Sequence, residues 1–353
     1  MAAVVCMVGS SACRMQTVPS VHRNRLSKSF FPRKTHAGSK STLRPQRVTI
    51  VRAETAKEMH PVICIGEVLW DGLPLGLFLG GAPVNVAQHM NALGTLAACV
   101  SCVGDDTLGE EIRRRLDSKG VDTSLLQVDS SLPTGFVRVT MNGSIPSYDI
   151  VQPSAWDAIQ PDAALLASAA LAPAVIFGSL AQRNEVSRKT IQAVKAAAKG
   201  KQIFDVNLRA PFIDKEAILA CMPGLYLVKV NDEELELMAE WIGAPKDEKS
   251  AAEAFAKKYD IEIVCVTRGA KGAALYIAKT GEWLEHPGFG VTALDTVGAG
   301  DSFLARLVQG LLTGEAPATA LAGGNAVGAF VATQNGATPT IDFDYVNALT
   351  NGK

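Results

Sequence analysis

The sequence predicts an α/β protein built on a mostly parallel sheet with helices on both faces. Two observations carry that reading. Short, apolar, β-rich runs alternate with segments of helical periodicity, the pattern of a parallel sheet joined by crossover helices. Small and polar residues follow the ends of successive runs, where open parallel sheets bind their ligands.

Val62–Val68 opens the series as a continuous apolar run, with Asp71 after it. Val84–Leu93 has helical spacing, Ala98–Val103 is the next strand, and Gly109–Ser118 the helix behind it. Ala174–Phe177, Gln202–Val206, Tyr226–Val230, Ile261–Val266 and Ala273–Ile277 are the later strands. Helical periodicity marks Glu185–Ala198, Asp232–Trp241, Ala251–Tyr259 and Ser302–Thr313. One segment breaks the alternation. Thr134–Thr140 and Ser147–Val151 flank Met141-Asn142-Gly143-Ser144, and Asn-Gly between strand-like runs signals a hairpin. Leu73–Leu79 is a short irregular or extended piece. The two excursions can pair into a small sheet over one edge of the core.

The richest chemistry lies in Asp295-Thr296-Val297-Gly298-Ala299-Gly300-Asp301-Ser302-Phe303. Phe303, Leu304, Leu307, Val308, Leu311 and Leu312 recur at helical spacing, so a helix should begin near Gly300. Gly298, Ala299 and Gly300 then present bare backbone N–H groups at a helix N-terminus, where the dipole suits a phosphate. Asp301 sets a carboxylate in the first turn, where phosphate chemistry would occur. It equally suits a plain helix-start role.

This segment resembles the G-A-G-D signature of the ribokinase-like (pfkB) carbohydrate kinases. Glu67-Val68-Leu69-Trp70-Asp71 and Gly80-Gly81-Ala82-Pro83-Val84-Asn85-Val86-Ala87 resemble the sugar-site motifs of the fructokinase branch. Val103-Gly104-Asp105-Asp106, Phe177-Gly178-Ser179-Leu180-Ala181-Gln182-Arg183 and Phe204-Asp205-Val206-Asn207-Leu208-Arg209 follow in family order, then Asn231-Asp232-Glu233-Glu234 and Thr267-Arg268-Gly269.

The resemblance implies a ribokinase-like three-layer α/β/α fold with a small β lid, made of residues 72–80 and 134–151. It implies phosphorylation of a sugar hydroxyl by ATP, with D-fructose giving fructose 6-phosphate. Asp301 is then the base, with Gly298, Ala299 and Gly300 as the anion hole. Asp71, Gly80, Gly81 and Asn85 bind the sugar. Asn207, Asn231, Glu234, Thr267, Gly269, Gly272 and Asn325 surround ATP. Glu234 acts on Mg²⁺, directly or through water, and Asp295 joins a monovalent-cation site for K⁺. A homodimer through the lid is one arrangement the resemblance allows.

Each residue also has a plain structural role open to it. Glu234 suits a first helical turn and Asp295 a turn. Asn85 can bond its own backbone. Gly269 and Gly272 suit hairpin turns, and Asn325 a solvent-facing helix position. Trp70 and His89 read as packing residues and Arg138 as exposed. Asp205, Asn207 and Arg209 form either a structural network or a phosphate contact. The segment Gly72–Leu77 is more apolar than the lid of typical relatives, and Tyr148–Gln152 lacks the Arg-containing lid motif of common plant fructokinases. Both touch the pocket wall, so another ketose, a sugar acid or a nucleoside is an alternative substrate. A non-catalytic scaffold in a plastid complex is the alternative outside enzymes.

Residues 1–53 contain no Asp or Glu and ten of the 34 basic residues. That composition is expected of an organellar transit peptide, plastid first and mitochondrion second, cut near Ala53. The kinase domain then spans residues 54–353. Without the leader 24 basic residues face 35 acidic ones, about −11, which disfavours nucleic acid as a partner. No later run is long enough to span a membrane. The Cys99–Cys102 spacing resembles a redox motif, but in a strand positions three apart face opposite ways. No G-x-x-x-x-G-K-[ST] loop occurs, and no G-x-G-x-x-G follows the first strand, which disfavours Walker-type kinases and dinucleotide dehydrogenases.

Overall fold

The computed structural model describes residues 59–73, 76–142 and 145–351. The expected transit peptide lies outside them. The strands in chain order are β1 (Val62–Ile65), β2 (Leu69–Leu73), β3 (Gly76–Gly80), β4 (Ala97–Gly104), β5 (Leu126–Asp129), β6 (Gly135–Asn142) and β7 (Ile145–Ile150). They continue with β8 (Ala174–Gly178), β9 (Lys201–Asp205), β10 (Leu227–Asn231), β11 (Ile263–Thr267), β12 (Ala273–Ile277) and β13 (Glu282–His286). The helices are α1 (Ala82–Ala92), α2 (Thr107–Ser118), α3 (Ala163–Leu171), α4 (Glu185–Ala197), α5 (Lys215–Ala220), α6 (Asp232–Ile242), α7 (Glu248–Tyr259), α8 (Ala299–Leu312), α9 (Pro317–Ala332) and α10 (Phe343–Thr350).

Nine strands form one sheet in the order β13-β12-β11-β10-β9-β8-β1-β4-β5. Pairing is parallel from β5 to β11 and antiparallel for β12 and β13. From β1 the chain builds outward through β4 and β5 on one side and through β8 to β11 on the other. The order therefore reverses at β1, and the crevice beyond the carboxyl ends of β1 and β8 is the topological switch point.

Side chains alternate across this sheet and feed two cores. Ile63, Ile65, Val100, Phe177, Phe204 and Val230 pack with α3 to α7 on one face. Val62, Cys64, Cys99, Ile176 and Leu227 pack with α1, α2 and α8 on the other. Cys99 and Cys102 fall on opposite faces accordingly, and burial pushes both thiols up to about 12. They are core thiols.

The second sheet has four strands in the order β3-β2-β6-β7. β2 pairs antiparallel with β3 and parallel with β6, and β6 pairs antiparallel with β7, while Gly143 and Ser144 of the expected turn lie outside the described residues. Here the sequence expectation needs one correction. The run Val62–Val68 is not a single strand: β1 ends at Ile65. Gly66, at φ 155°, turns the chain, and Leu69 begins a strand of the smaller sheet. Apolar residues on both sides of that turn hid it.

Several elements carried no readable period. α9 is Ala- and Gly-rich and buried around most of its girth, so it shows no polar stripe. α8 begins at Ala299, one residue before the expected start, because Gly298 at φ 78° ends the preceding loop.

Candidate active site

The first turn of α8 meets the first turn of α1 near the switch point. Asn85 Nδ2 donates to Asp301 Oδ2 at 2.8 Å. Asn85 thus reaches across to another helix rather than to its own backbone, and its Oδ1 lacks a partner among the described residues. Phe303, Leu304 and Leu307 of α8 pack with Val84 and Ala87 of α1, which fixes the approach of the two helix starts.

Glycines permit the close contacts here. Gly298 sits in left-handed backbone, and a Cβ on it would run into the Ala337 backbone. Gly80 leaves the space that the Asp71 carboxylate fills. Ala299 N–H donates to Thr296 O and Ser302 N–H to Gly298 O. The N–H groups of Gly298, Gly300 and Asp301 have no acceptor among the described residues. The first turn therefore offers unspent donors beside a carboxylate.

Buried charge concentrates beneath this turn. Lys229 on β10 donates to Asp205 Oδ1 on β9 at 2.8 Å, and their side chains are 8% and 5% exposed. Asp205 Oδ2 has no partner among the described residues. The Lys229 ammonium lies beside Gly300. Burial opposes its charge, but Asp205, Glu234 and Asp301 more than offset this and raise its pKa. The Asp301 pKa also rises, which for a carboxylate disfavours the charge. Burial and then the Asp205 charge push it up to about 6, against the pull of Asn85, Lys229 and Arg209. Burial also pushes Asp71 up to about 6 and Glu67 to about 7, with the nearby Arg209 guanidinium restraining both.

The remaining expected residues divide sharply. Asn231 caps α6 by accepting from Glu234 N–H at 2.7 Å, while Glu234 Oε2 accepts from Asn231 N–H and its Oε1 from Leu208 N–H. Glu234 is thus a capping-box acid that also ties down the loop after β9. Asn207 in that loop is left-handed, at φ 41°. Asp295 accepts from Val297 N–H and Gly336 N–H, so it shows the turn role. The monovalent-cation role rests on the resemblance alone. Gly269 opens a short 3₁₀ turn, and Gly272 packs its backbone against His286 and Gly288. Asn325 is buried in α9 and donates to Leu321 O, which corrects the solvent-facing alternative. No hydrogen bond joins Thr267, Gly269, Gly272 or Asn325 to the Asp301 cluster among the described residues. Trp70 and His89 are packed as expected, and each also bonds a backbone carbonyl, Leu108 O and Ala337 O.

Comparison with known proteins decides the family. The family model described as "pfkB family carbohydrate kinase" matches residues 71–343. The chain belongs to the pfkB family of carbohydrate kinases. Fructokinase-2 of Oryza sativa subsp. japonica is 31% identical over 320 residues, covering 82% of this chain and 93% of its own. The fold is ribokinase-like. A Xylella fastidiosa fructokinase with bound ATP superposes with a TM-score of 0.72 at 22% identity, over 83% of this chain and 98% of that one. A Vibrio cholerae fructokinase with fructose, ADP and a calcium ion gives 0.70 at 24%, over 83% and 99%.

Sequence reasoning assigned no role to Lys229 or to the Glu67 side chain. A lysine inside the apolar run Leu227–Asn231 was the available signal, because buried lysines are almost always paired. Lys229→Met should destabilise this kinase by about 3–5 kcal/mol, since Asp205 would keep a buried, unpaired charge. Adding Asp205→Leu should restore most of the loss. Urea denaturation measures both; equal loss in the single and double variants would remove the pair from this account.

Proposed function

We propose that this carbohydrate kinase phosphorylates D-fructose with ATP, giving fructose 6-phosphate and ADP. The observation that carries the reading is the Asp301 carboxylate, held by Asn85 beside the unspent N–H groups of the α8 first turn. The rice relative and the two bacterial neighbours, all fructokinases, support the choice of sugar.

The chemistry needs few parts. Asp71, Asn85 and the Gly80–Gly81 backbone hold the sugar so that one hydroxyl faces Asp301. That hydroxyl oxygen attacks the γ-phosphorus, the bond to the ADP oxygen breaks, and Asp301 takes the hydroxyl proton. The N–H groups of Gly298 and Gly300, with the Lys229 charge behind them, stabilise the phosphoryl oxygens; the Ala299 N–H expected to join them is instead spent on Thr296 O. Asn207, Asn231, Thr267, Gly269, Gly272 and Asn325 contribute to the ATP side by resemblance. A base with its pKa near 6 is charged at neutral pH and still basic enough to accept a proton.

No group of three or more acidic, His or Cys side chains among the described residues is spaced to hold a metal. Mg²⁺ keeps several waters and binds ATP phosphates, so it needs no such group. Glu234, through water, and the unpartnered Asp205 Oδ2 fit that mode. The ion would neutralise phosphate charge.

A panel of sugars, sugar acids and nucleosides assayed for ADP release tests the substrate; a better substrate than fructose would replace it. Asp301→Asn tests the base. Gly298, not Asp301, is the N-cap of α8, and Asn has nearly the shape of Asp and an amide oxygen that can still accept from Asn85. The variant should keep its melting temperature and lose turnover about 10²–10⁴-fold. Near-normal turnover would reduce Asp301 to a helix-start residue.

The acid-free residues 1–53 support import into the plastid stroma, with the mitochondrion as second choice. N-terminal sequencing of organellar protein should begin near Ala53; mature cytosolic protein beginning at Met1 would defeat this.

A further inference from the structure

A cavity of about 250 Å³ is walled by α1, the end of α2, β3 and residues 335–339, with neither Asn85 nor Asp301 in its lining. It reaches β3 from its edge, since Phe78 and Leu79 both line it, while Asp71, Gly80, Gly81 and Asn85 do not. Leu79 sits opposite Trp70 and Phe78 opposite Asp71, so the cavity meets both faces of β3 at this end. Leu79 lines the cavity, as does Arg115, whose guanidinium lies 4.6 Å over the Trp70 ring.

The lining has one sign. Arg115 and Lys119 supply positive charge, Gln88, Ser118, Asn335 and Thr338 supply neutral polar groups, and no Asp or Glu lines the space. Arg115 spends its Nε on Glu111 and is held in place by that bond and by Trp70. The Lys119 charge reaches inward far enough to help burial depress His89 on α1. Gln88 gives a second, independent observation. It is 5% exposed, its Oε1 accepts from Thr338 Oγ1 at 3.4 Å, and its Nε2 has no acceptor among the described residues. Buried donors are rarely left unpaired, and an oxygen-rich anion would complete this one.

We propose that this cavity is a second anion site that binds a phosphate group, free or carried by a small phosphorylated metabolite. Lys119 and Arg115 meet the charge, and Gln88 Nε2, Ser118 and Asn335 meet oxygens or hydroxyls. The volume falls below that of pockets for larger organic ligands, which fits a compact anion. The site does not depend on fructose being the substrate.

Calorimetric titration of the full chain, without ATP, tests it with two probes: inorganic phosphate and fructose 6-phosphate. Binding of at least one probe should include a component that Lys119→Glu weakens roughly tenfold or more and that Gln88→Leu also weakens. Lys119→Glu should keep the wild-type melting temperature. With no phosphate added, it should also keep the wild-type kcat and KM. An equal Lys119-dependent component for both probes assigns the site to free phosphate, and a tighter one for fructose 6-phosphate assigns it to phosphosugars. Failure of both probes to bind, or binding unaltered by Lys119→Glu, overturns the proposal. Turnover plays no part in the binding readout, so an inactive enzyme with Lys119-dependent binding would sink the kinase reading and leave this site standing.

Discussion

Asn85 and Asp301 stand 216 residues apart in the chain, and one hydrogen bond of 2.8 Å joins them. The site depends on that contact. Apolar packing brings the start of α1 against the start of α8, and this bond joins their polar ends beside the unspent N–H groups. Neither helix alone makes a site. Together they set a carboxylate, N–H groups without acceptors and the Asp71 side chain near one crevice at the switch point of the main sheet.

Electrostatics explains why this crevice suits phosphoryl transfer. Burial penalises every charge in it, and the chain answers with alternating signs. Lys229 offsets Asp205, Glu234 and Asp301, and Arg209 faces Glu67, Asp71 and Asp301. Glu67, Asp71, Glu234 and Asp301 end with raised pKa values and the lysine with its charge secured. Such a cluster costs stability when a partner is missing. In the role proposed for it, the cluster supplies both a base and a counter-charge for phosphate, which a neutral core could not do.

Much of this was legible in the sequence, for reasons that differ by element. The parallel strands announce themselves as apolar runs because both faces are buried, and Gly298 to Asp301 announce a helix start because small residues precede an acid. The break at Gly66 was not legible, since apolar residues continue on both sides and only the backbone angle marks it. α9 was hidden because burial on most sides removes the polar stripe. Asn231 and Glu234 were legible as a motif, but the capping box they form appears only when both backbone and side chains are placed. Lys229 was visible as an anomaly and needed the register of β9 against β10 to find its partner Asp205.

The central claim is that Asp301 is the base and Asn85 holds it in its charged form. The dependence of kcat on pH at saturating sugar and ATP, compared between wild type and Asn85→Ala, tests this most directly. A base must be deprotonated, so wild-type kcat should fall as pH drops through about 6. Loss of the Asn85 donor removes a bond that favours the carboxylate, so the limb should move up by about half a unit or more. A folded Asn85→Ala enzyme with an unchanged acid limb would contradict the account.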